Sequence, residues 1–274
     1  YAALGSQDGA GTAYNVAIGH QAGTSVSTGT VNTIIGGLAG DALTIGNSNV
    51  AVGYNALTSD TQGDRSVAVG MNALATQNQS GGSVDVYNVA IGYNAGTAVT
   101  TGVQNIFIGG LAGEVQTDSN GAVFIGHQAG QACVTGDQNT YIGYQAGKLA
   151  TGGENTFIGY QAGEAVTTGA DNTLIGNEAG EALTEGSRNV FIGHESGEGI
   201  TTGGNNVVIG WNAASTANAD LDEAVVIGYN ALTGSGGGVS QDGSVAIGFG
   251  AAGGGANKGV YLGYRAGDSQ TEEG

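Results

Sequence analysis

The stretch Asn155–Asp171 reads "NTFIGYQAGEAVTTGAD", and two close copies of it follow directly. Residues 172–188 read "NTLIGNEAGEALTEGSR", and residues 189–205 read "NVFIGHESGEGITTGGN". The chain therefore repeats with a period of seventeen residues. Such a period is the signature of a repeat architecture, in which each unit buries its apolar side chains only by stacking on its neighbours.

The repeat extends over the whole chain. With Asn155 as position one, position one recurs sixteen times, at Tyr1, Asn15, Asn32, Asn49, Ser66, Asn88, Asn105, Ala122, Asn139, Asn155, Asn172, Asn189, Asn206, Ala224, Ser244 and Gly259. We therefore expect residues 1–274 to form a single repeat domain. Two longer units add polar, Gly-rich residues at Gln77–Tyr87 and Gly234–Gly243, which predicts two protruding loops that could be deleted without loss of the fold. Because the chain begins at Tyr1 rather than Met, we interpret it as a slice of a longer fibre.

The composition excludes several classes of protein. Of the 274 residues, 56 are Gly, none is Pro and 40% are hydrophobic, which is too apolar for a disordered chain. The formal net charge of −18, with only five basic residues, argues against a nucleic-acid partner, which requires a basic surface. No apolar run is long enough to span a bilayer, so we do not expect this segment to insert into a membrane.

Individual positions of the unit predict its local structure. Position five is Gly in every unit and position nine is usually Gly, which predicts sharp turns with positive φ. Position four is always Ile, Val or Leu, and position eight is nearly always Ala. We predict that these two positions face each other inside a thin coil. The isoleucines of this predicted coil core are Ile18, Ile35, Ile91, Ile108, Ile125, Ile142, Ile158, Ile175, Ile192 and Ile209. The fold class is then all-β, a parallel β-solenoid of about sixteen coils of ~17 residues.

Position three alternates with position four along the strand and is therefore predicted to point out of the coil. Six successive units carry large apolar side chains there, namely Phe107, Phe124, Tyr141, Phe157, Leu174 and Phe191. An aromatic stripe of this size facing water exceeds what a soluble monomer exposes. We therefore predict that these six residues form a seam between copies of the chain.

The stretches "NVAIGHQAG" (15–23), "SVAVGMNAL" (66–74) and "SVAIGFGAA" (244–252) resemble the head repeats of YadA-like trimeric autotransporter adhesins. The same repeats are also similar to segments of phage tail fibres. The first resemblance implies a left-handed β-roll, a homotrimer and an extracellular location on a cell surface, with an unknown surface receptor as partner. The seventeen-residue unit is longer than the typical unit of those adhesins.

Few residues suggest catalysis or cofactor binding, and we expect no enzyme. His20, His127 and His194 all occupy position six of separate coils, so they cannot converge on one metal ion. Cys133 occupies an apolar position and is interpreted as a small buried side chain. Glu164, Glu181 and Glu198 share position ten of consecutive coils. A solvated acidic edge is the favoured interpretation of these three residues, and a bound Ca²⁺ is the alternative.

The leading hypothesis for function is a non-enzymatic adhesive or structural fibre segment, either an adhesin head or a viral tail-fibre shaft. Ice binding is a further hypothesis, because threonines recur at position thirteen, at Thr44, Thr61, Thr100, Thr117, Thr151, Thr167, Thr184 and Thr201. Unpaired strand edges at the two ends of a solenoid also predict end-to-end association into longer rods.

Overall fold

The computed structural model describes residues 2–8, 12–217, 220–234, 241–254 and 258–268. The chain divides into two compact units, Tyr1–Asn139 and Thr140–Gly274. Within the described ranges every regular element is a short β-strand. No helix in these ranges has the length and apolar character needed to cross a membrane.

The first unit stacks seven three-residue strands in parallel, with β4 and β6 forming a separate two-stranded pair. Its elements are β1 (Val16–Ile18), β2 (Thr33–Ile35), β3 (Val50–Val52), β4 (Gly63–Asp64), β5 (Val67–Val69), β6 (Val84–Asp85), β7 (Val89–Ile91), β8 (Ile106–Ile108) and β9 (Val123–Ile125). Each three-residue strand pairs with the next one in the same register, as when Phe107 lies opposite Phe124. This part of the chain is a parallel β-solenoid, as the repeat predicted.

The second unit has the same organisation. Its strands are β10 (Thr140–Ile142), β11 (Thr156–Ile158), β12 (Thr173–Ile175), β13 (Val190–Ile192), β14 (Val207–Ile209), β15 (Val225–Ile227), β16 (Val245–Ile247) and β17 (Val260–Leu262). Successive strands again pair in parallel with identical positions opposite each other, for example Ile158 opposite Ile175. Each strand therefore carries positions two to four of one repeat unit, and the rest of the unit forms turns.

Glycine at position five is required by the next turn of the solenoid. Gly109 has φ of +134°, and a Cβ atom there would overlap the carbonyl oxygen of Gly126. The same overlap recurs along the column, since a Cβ on Gly92 would lie 2.5 Å from the carbonyl oxygen of Gly109. Position five therefore needs Gly both for its backbone angle and for the close approach of neighbouring turns.

The structure reverses the predicted inside and outside of the strand. Position three is fully buried within a single chain, so the predicted interchain seam is wrong: Phe107, Phe124, Tyr141, Phe157, Leu174 and Phe191 each have 0% exposed surface. The predicted coil core is wrong as well, because position four lies on the outer face of the sheet. Ile18 and Ile91 are exposed there, and the other eight isoleucines, Ile35, Ile108, Ile125, Ile142, Ile158, Ile175, Ile192 and Ile209, are half-buried. Alternation along a strand gives two faces, and the larger rings of position three fill the interior.

Side chains at positions three, eight, nine and twelve fill the interior. A large side chain at position three is accompanied by a small residue at position nine. A Cβ atom on Gly197, at position nine, would lie 2.5 Å from Phe191 of its own turn. Where position three is small in a turn and in the turn after it, position nine carries Leu instead, as in Leu57 and Leu74 beside Ala68. Large side chains at position three therefore require Gly at position nine.

Buried asparagines at position one connect successive turns. Those fully buried are Asn32, Asn49, Asn88, Asn105, Asn139, Asn155, Asn172, Asn189 and Asn206. The Asn172 Nδ2 atom donates to the carbonyl oxygen of Gly186 at 2.9 Å, which closes its own turn. The Asn172 Oδ1 atom accepts from the backbone N–H of Asn189 at 3.0 Å, which fixes the next turn. One side chain thus satisfies polar groups of two turns that would otherwise be buried without partners.

The prediction of a removable loop at Gln77–Tyr87 is wrong for the ends of that segment. Gln77 is fully buried, and its Nε2 atom donates to Asp60 Oδ2 at 2.6 Å and to Ser66 Oγ at 2.9 Å. Val86 is also fully buried, although other residues of the segment, such as Gly81 and Tyr87, are exposed. Deleting the whole segment would therefore remove part of the core. The second predicted loop, Gly234–Gly243, lies mostly outside the described residues.

Candidate functional site

The sheet has an apolar outer face, a name we give to positions two and four of the three-residue strands. These positions point away from the interior, and they carry Val, Thr or Ile at position two and Ile, Val or Leu at position four. Val16 is 47% exposed and Ile18 is 60% exposed. A contiguous apolar face that a single chain leaves uncovered indicates an interaction surface.

Position six lies just beyond the position-five glycine and carries exposed rings. His20, His127 and His194 all occupy this column, as predicted, in separate turns. In the second unit a ladder of five stacked rings begins at His194 and continues through Trp211, Tyr229, Phe249 and Tyr264. Neighbouring centroids in this ladder are 4.7–5.7 Å apart. The rings pack face to face, so mainly their edges meet solvent.

A second stack in the same column consists of Tyr144 and Tyr160. Their ring centroids are 5.3 Å apart and their planes differ by 10°. Both side chains are close to half-exposed. The sequence placed both residues at position six, but it did not single out this pair of adjacent phenols.

In some turns the acidic side chain at position ten accepts hydrogen bonds from neighbouring amides or forms an ion pair. Glu114 Oε2 accepts from Gln131 Nε2 at 2.8 Å, and Glu114 Oε1 accepts from Asn94 Nδ2 at 3.2 Å. Glu164 forms an ion pair with Lys148 at 3.1 Å and accepts a hydrogen bond from Gln161. In these turns the amide or ammonium donor at position seven or ten offsets the carboxylate charge.

Two consecutive turns lack such donors, because positions seven and ten are both Glu. The four carboxylates are Glu178, Glu181, Glu195 and Glu198, and we call them the acidic square. The basic side chain found beside the square in the described residues is His194, whose Nδ1 atom lies 3.6 Å from Glu195 Oε1. Partial burial, followed by repulsion from Glu178, raises the pKa of Glu181. Partial burial, followed by repulsion from Glu195, raises the pKa of Glu198.

These pKa shifts predict that the fold loses stability as the pH rises. A carboxyl group with a raised pKa binds more protons in the folded chain than in the unfolded chain, so its contribution is greatest at low pH. The loss begins as the pH passes the ordinary value of 4.5 and is complete above the raised pKa values. We expect Glu181→Gln to raise the unfolding midpoint at neutral pH and to flatten its pH dependence, as measured by thermal melts across this range. Glu114→Gln is the control, since Glu114 has two amide donors, and an equal effect of both variants would contradict the interpretation.

The three glutamates at position ten border an open groove of about 540 Å³. The groove is lined by Leu149, Glu164, Ala165, Glu181, Ala182, Glu198, Gly199 and Ser215. The described part of the chain contains no group of three or more His, Cys, Asp or Glu side chains arranged to hold a metal ion. The groove therefore presents a row of carboxylates.

Cys133 is fully buried in the first unit, as the sequence predicted. Burial raises the pKa of its thiol to about 11. The thiolate is the reactive form of cysteine, so this side chain is chemically inert at neutral pH.

The threonines at position thirteen use their hydroxyl groups within the solenoid. Thr44 Oγ1 donates to the carbonyl oxygen of Thr61 at 2.8 Å, and Thr184 Oγ1 donates to that of Thr201 at 3.0 Å. Similar bonds join Thr100 to Thr117 and Thr151 to Thr167. These hydroxyl protons stabilise contacts between turns rather than facing solvent as an ordered array.

Residues 50–73 match the family model described as the YadA head domain repeat, in two copies. The matched residues lie in the first unit and include β3 and β5, so they confirm the resemblance that "SVAVGMNAL" indicated. A comparison with curated proteins gave no match.

Proposed function

We propose that this chain, which carries YadA-like head repeats, is a non-enzymatic segment of an extracellular adhesive fibre in which three copies pack through their outer faces. The observation that carries the proposal is the apolar outer face. Each turn presents two outward side chains, such as Thr156 and Ile158, beside a polar turn region. In a stable soluble protein an apolar surface of this kind is covered. A second and a third copy of the chain each carry an identical face that can cover it.

The free energy expected from burying the outer face supports association of the chains. Fully burying one Ile side chain contributes roughly 1.5–3 kcal/mol, and position four supplies one aliphatic side chain in every turn. Because most of these side chains are already half-buried, association gains only part of that value in each turn. Association costs a free energy on the order of 4–15 kcal/mol, because the chains lose translational and rotational freedom. Burial summed over several turns is enough to offset this cost. The head-repeat match at residues 50–73 supports a trimer in particular.

The absence of catalytic function is part of the same proposal. The carboxylates form rows along the solenoid, as at Glu164, Glu181 and Glu198, whereas glycoside hydrolysis requires two carboxyl groups facing each other across a substrate. The buried thiol of Cys133 does not provide a nucleophile either.

The alternative within the same class is the shaft of a viral tail fibre, which would use the same outer face for trimer formation. Ice binding is less well supported, because Thr44 and Thr184 donate their hydroxyl protons to carbonyl groups of the next turn. A thermal-hysteresis measurement separates ice binding from both fibre functions.

Association is tested with the double variant Ile158→Asp/Ile175→Asp. These residues lie opposite each other on the outer face of β11 and β12. We expect the unmodified chain to have the mass of three copies by light scattering. The variant should have the mass of one copy, with an unchanged β-sheet circular dichroism spectrum, because charges on the outer face repel across the interface. Asn177→Asp, at position six of the β12 turn, is the control and should leave the mass of three copies. A single-chain mass for the unmodified protein, or an unchanged mass for the double variant, would refute outer-face packing.

Adhesion is tested separately with beads that carry the purified chain. We expect these beads to attach to cultured animal cells or to bacterial cells in larger numbers than beads carrying an unrelated acidic protein of similar charge. Equal attachment of the two kinds of bead would count against adhesion and leave a purely structural fibre.

A further inference from the structure

Tyr144 and Tyr160 occupy the same column in consecutive turns of the second unit. Their rings are nearly parallel, with an interplanar angle of 10° and a centroid separation of 5.3 Å. The parallel pairing of β10 with β11 fixes this register, because Tyr141 lies opposite Phe157 in the same two turns. The two phenols are thus held side by side by the backbone rather than by chance contact.

Both phenols are accessible. Tyr144 is 43% exposed and Tyr160 is 47% exposed. Position six follows the position-five glycine and is not one of the outer-face positions. Half-exposed side chains can also rotate from a face-to-face to an edge-to-edge arrangement, which a fully packed ring cannot do.

Among the described residues, this is the one pair of tyrosines whose rings stack directly on each other. Tyr54 and Tyr93 occupy the same column and are each 52% exposed, but Met71 fills the intervening turn. Tyr229 and Tyr264 are separated by Phe249. These four tyrosines are exposed at the same position of the repeat but lack an adjacent phenol.

We propose that Tyr144 and Tyr160 form an oxidative cross-linking site, at which a one-electron oxidant couples the two rings into dityrosine. The oxidant removes one electron and one proton from each phenol, which leaves two phenoxyl radicals. The radicals couple at their ortho carbons to form a Cε–Cε bond, which leaves each ring as a dienone. The hydrogen on each bonded carbon then moves to the ketone oxygen of its own ring, which restores the aromatic ring and the phenol. With a haem peroxidase as the oxidising enzyme, two phenols and one H₂O₂ give one dityrosine and two H₂O.

The geometry favours coupling within one chain over coupling between molecules. Two groups held in adjacent turns have an effective concentration in the millimolar range or above, whereas separate protein molecules meet at micromolar concentrations. The product is a covalent bond between consecutive turns of the solenoid, outside the core. Such a bond resists separation of these turns when the chain is stretched, and this consequence does not depend on the adhesive function.

The test exposes the whole purified chain to a haem peroxidase and limiting H₂O₂. On a denaturing gel the product should run as a single chain rather than as a cross-linked oligomer. Its intact mass should be lower by two hydrogen atoms, and it should show dityrosine fluorescence. Digestion should give a cross-linked peptide joining residues 144 and 160. Tyr160→Phe keeps the stacked ring but removes one phenol, and it should lower the yield of intramolecular dityrosine by about tenfold or more. Asn177→Tyr adds a phenol in the next turn and should give a new cross-linked peptide joining positions 160 and 177.

Four results would overturn the proposal. The first is a dityrosine yield that is unchanged in Tyr160→Phe. The second is cross-linking of Tyr54 or Tyr93 at the same rate as the stacked pair. The third is a product consisting only of cross-links between molecules. Oxidised Tyr144 and Tyr160 without a bond between them would equally refute coupling, and the Asn177→Tyr variant shows whether a phenol in an adjacent turn is sufficient.

Discussion

Replacing Gly109 with alanine is expected to destabilise the first unit by roughly 3–5 kcal/mol, enough to unfold it or to abolish soluble expression. Gly109 has φ of +134°, which L-residues rarely adopt, and the new Cβ atom would overlap the carbonyl oxygen of Gly126 in the next turn. That oxygen is part of the stacked backbone, so it cannot move without separating the two turns. Denaturant unfolding, followed by circular dichroism, measures the effect.

Gly110 is a matched control one residue away. A Cβ atom on Gly110 would approach nothing closer than 3.4 Å, to His127 Cδ2, and Gly110 is not among the positive-φ residues. We expect Gly110→Ala to change the free energy of unfolding by no more than about 0.5 kcal/mol. If the two variants behave alike, close stacking of position-five glycines is not what holds the turns together.

Replacing Phe191 with alanine is expected to destabilise the second unit by about 3–5 kcal/mol, the usual effect of deleting a buried aromatic ring. Gly197→Leu alone should also destabilise, by roughly 1–3 kcal/mol, because its Cβ atom would lie 2.5 Å from Phe191 Cδ2. The double variant Phe191→Ala/Gly197→Leu should lose less free energy of unfolding than the sum of the losses in the two single variants. A small side chain at position three with Leu at position nine is the arrangement already present at Ala51 and Leu57.

Denaturant unfolding of the two single variants and the double variant forms a thermodynamic cycle. We expect an interaction energy on the order of 2 kcal/mol in favour of the double variant. Leu57 has φ of +54°, so Leu is compatible with the backbone that Gly197 adopts at φ of +68°. Additive effects, or a double variant worse than either single one, would show that positions three and nine do not share one volume.

The features that the sequence predicted correctly depend on local geometry. The period located the three-residue strands, because pairing in register places like positions opposite each other, as with Val190 and Val207. Glycine at positions five and nine predicted positive φ because other residues rarely adopt it, and Gly126 and Gly130 have φ of +137° and +57°.

The assignment of inside and outside failed because period-two alternation is symmetric between the two faces of a strand. The constant Ile of position four looked like a core, and the varying Phe, Ala and Val of position three looked like a surface. A different signal in the sequence would have identified the interior. Position nine is Gly beside Phe107 and Leu beside Ala68, and such compensation in size is expected only of side chains that share a closed volume.

The sequence placed the acidic and aromatic columns but not the contacts within them. Glu164 and Glu181 occupy the same position of the repeat, yet Lys148 neutralises one of them and partial burial with repulsion from Glu178 raises the pKa of the other. These differences arise from side chains of neighbouring turns that reach across the stack. They become visible only when the register and the side-chain directions are both known.

The register of the strands is kept although the number of residues between them varies. From Thr140 to Thr156 the step is 16 residues, from Val67 to Val89 it is 22, and from Val207 to Val225 it is 18. The residues between the three-residue strands account for all of this variation. The register in which one strand pairs with the next stays the same. A gene encoding such a chain can therefore gain or lose whole turns by in-frame recombination between its repeats, provided that the turns brought together match in the sizes of their side chains at positions three and nine. The number of turns is in this sense an evolutionary variable that can change without altering how the strands pair.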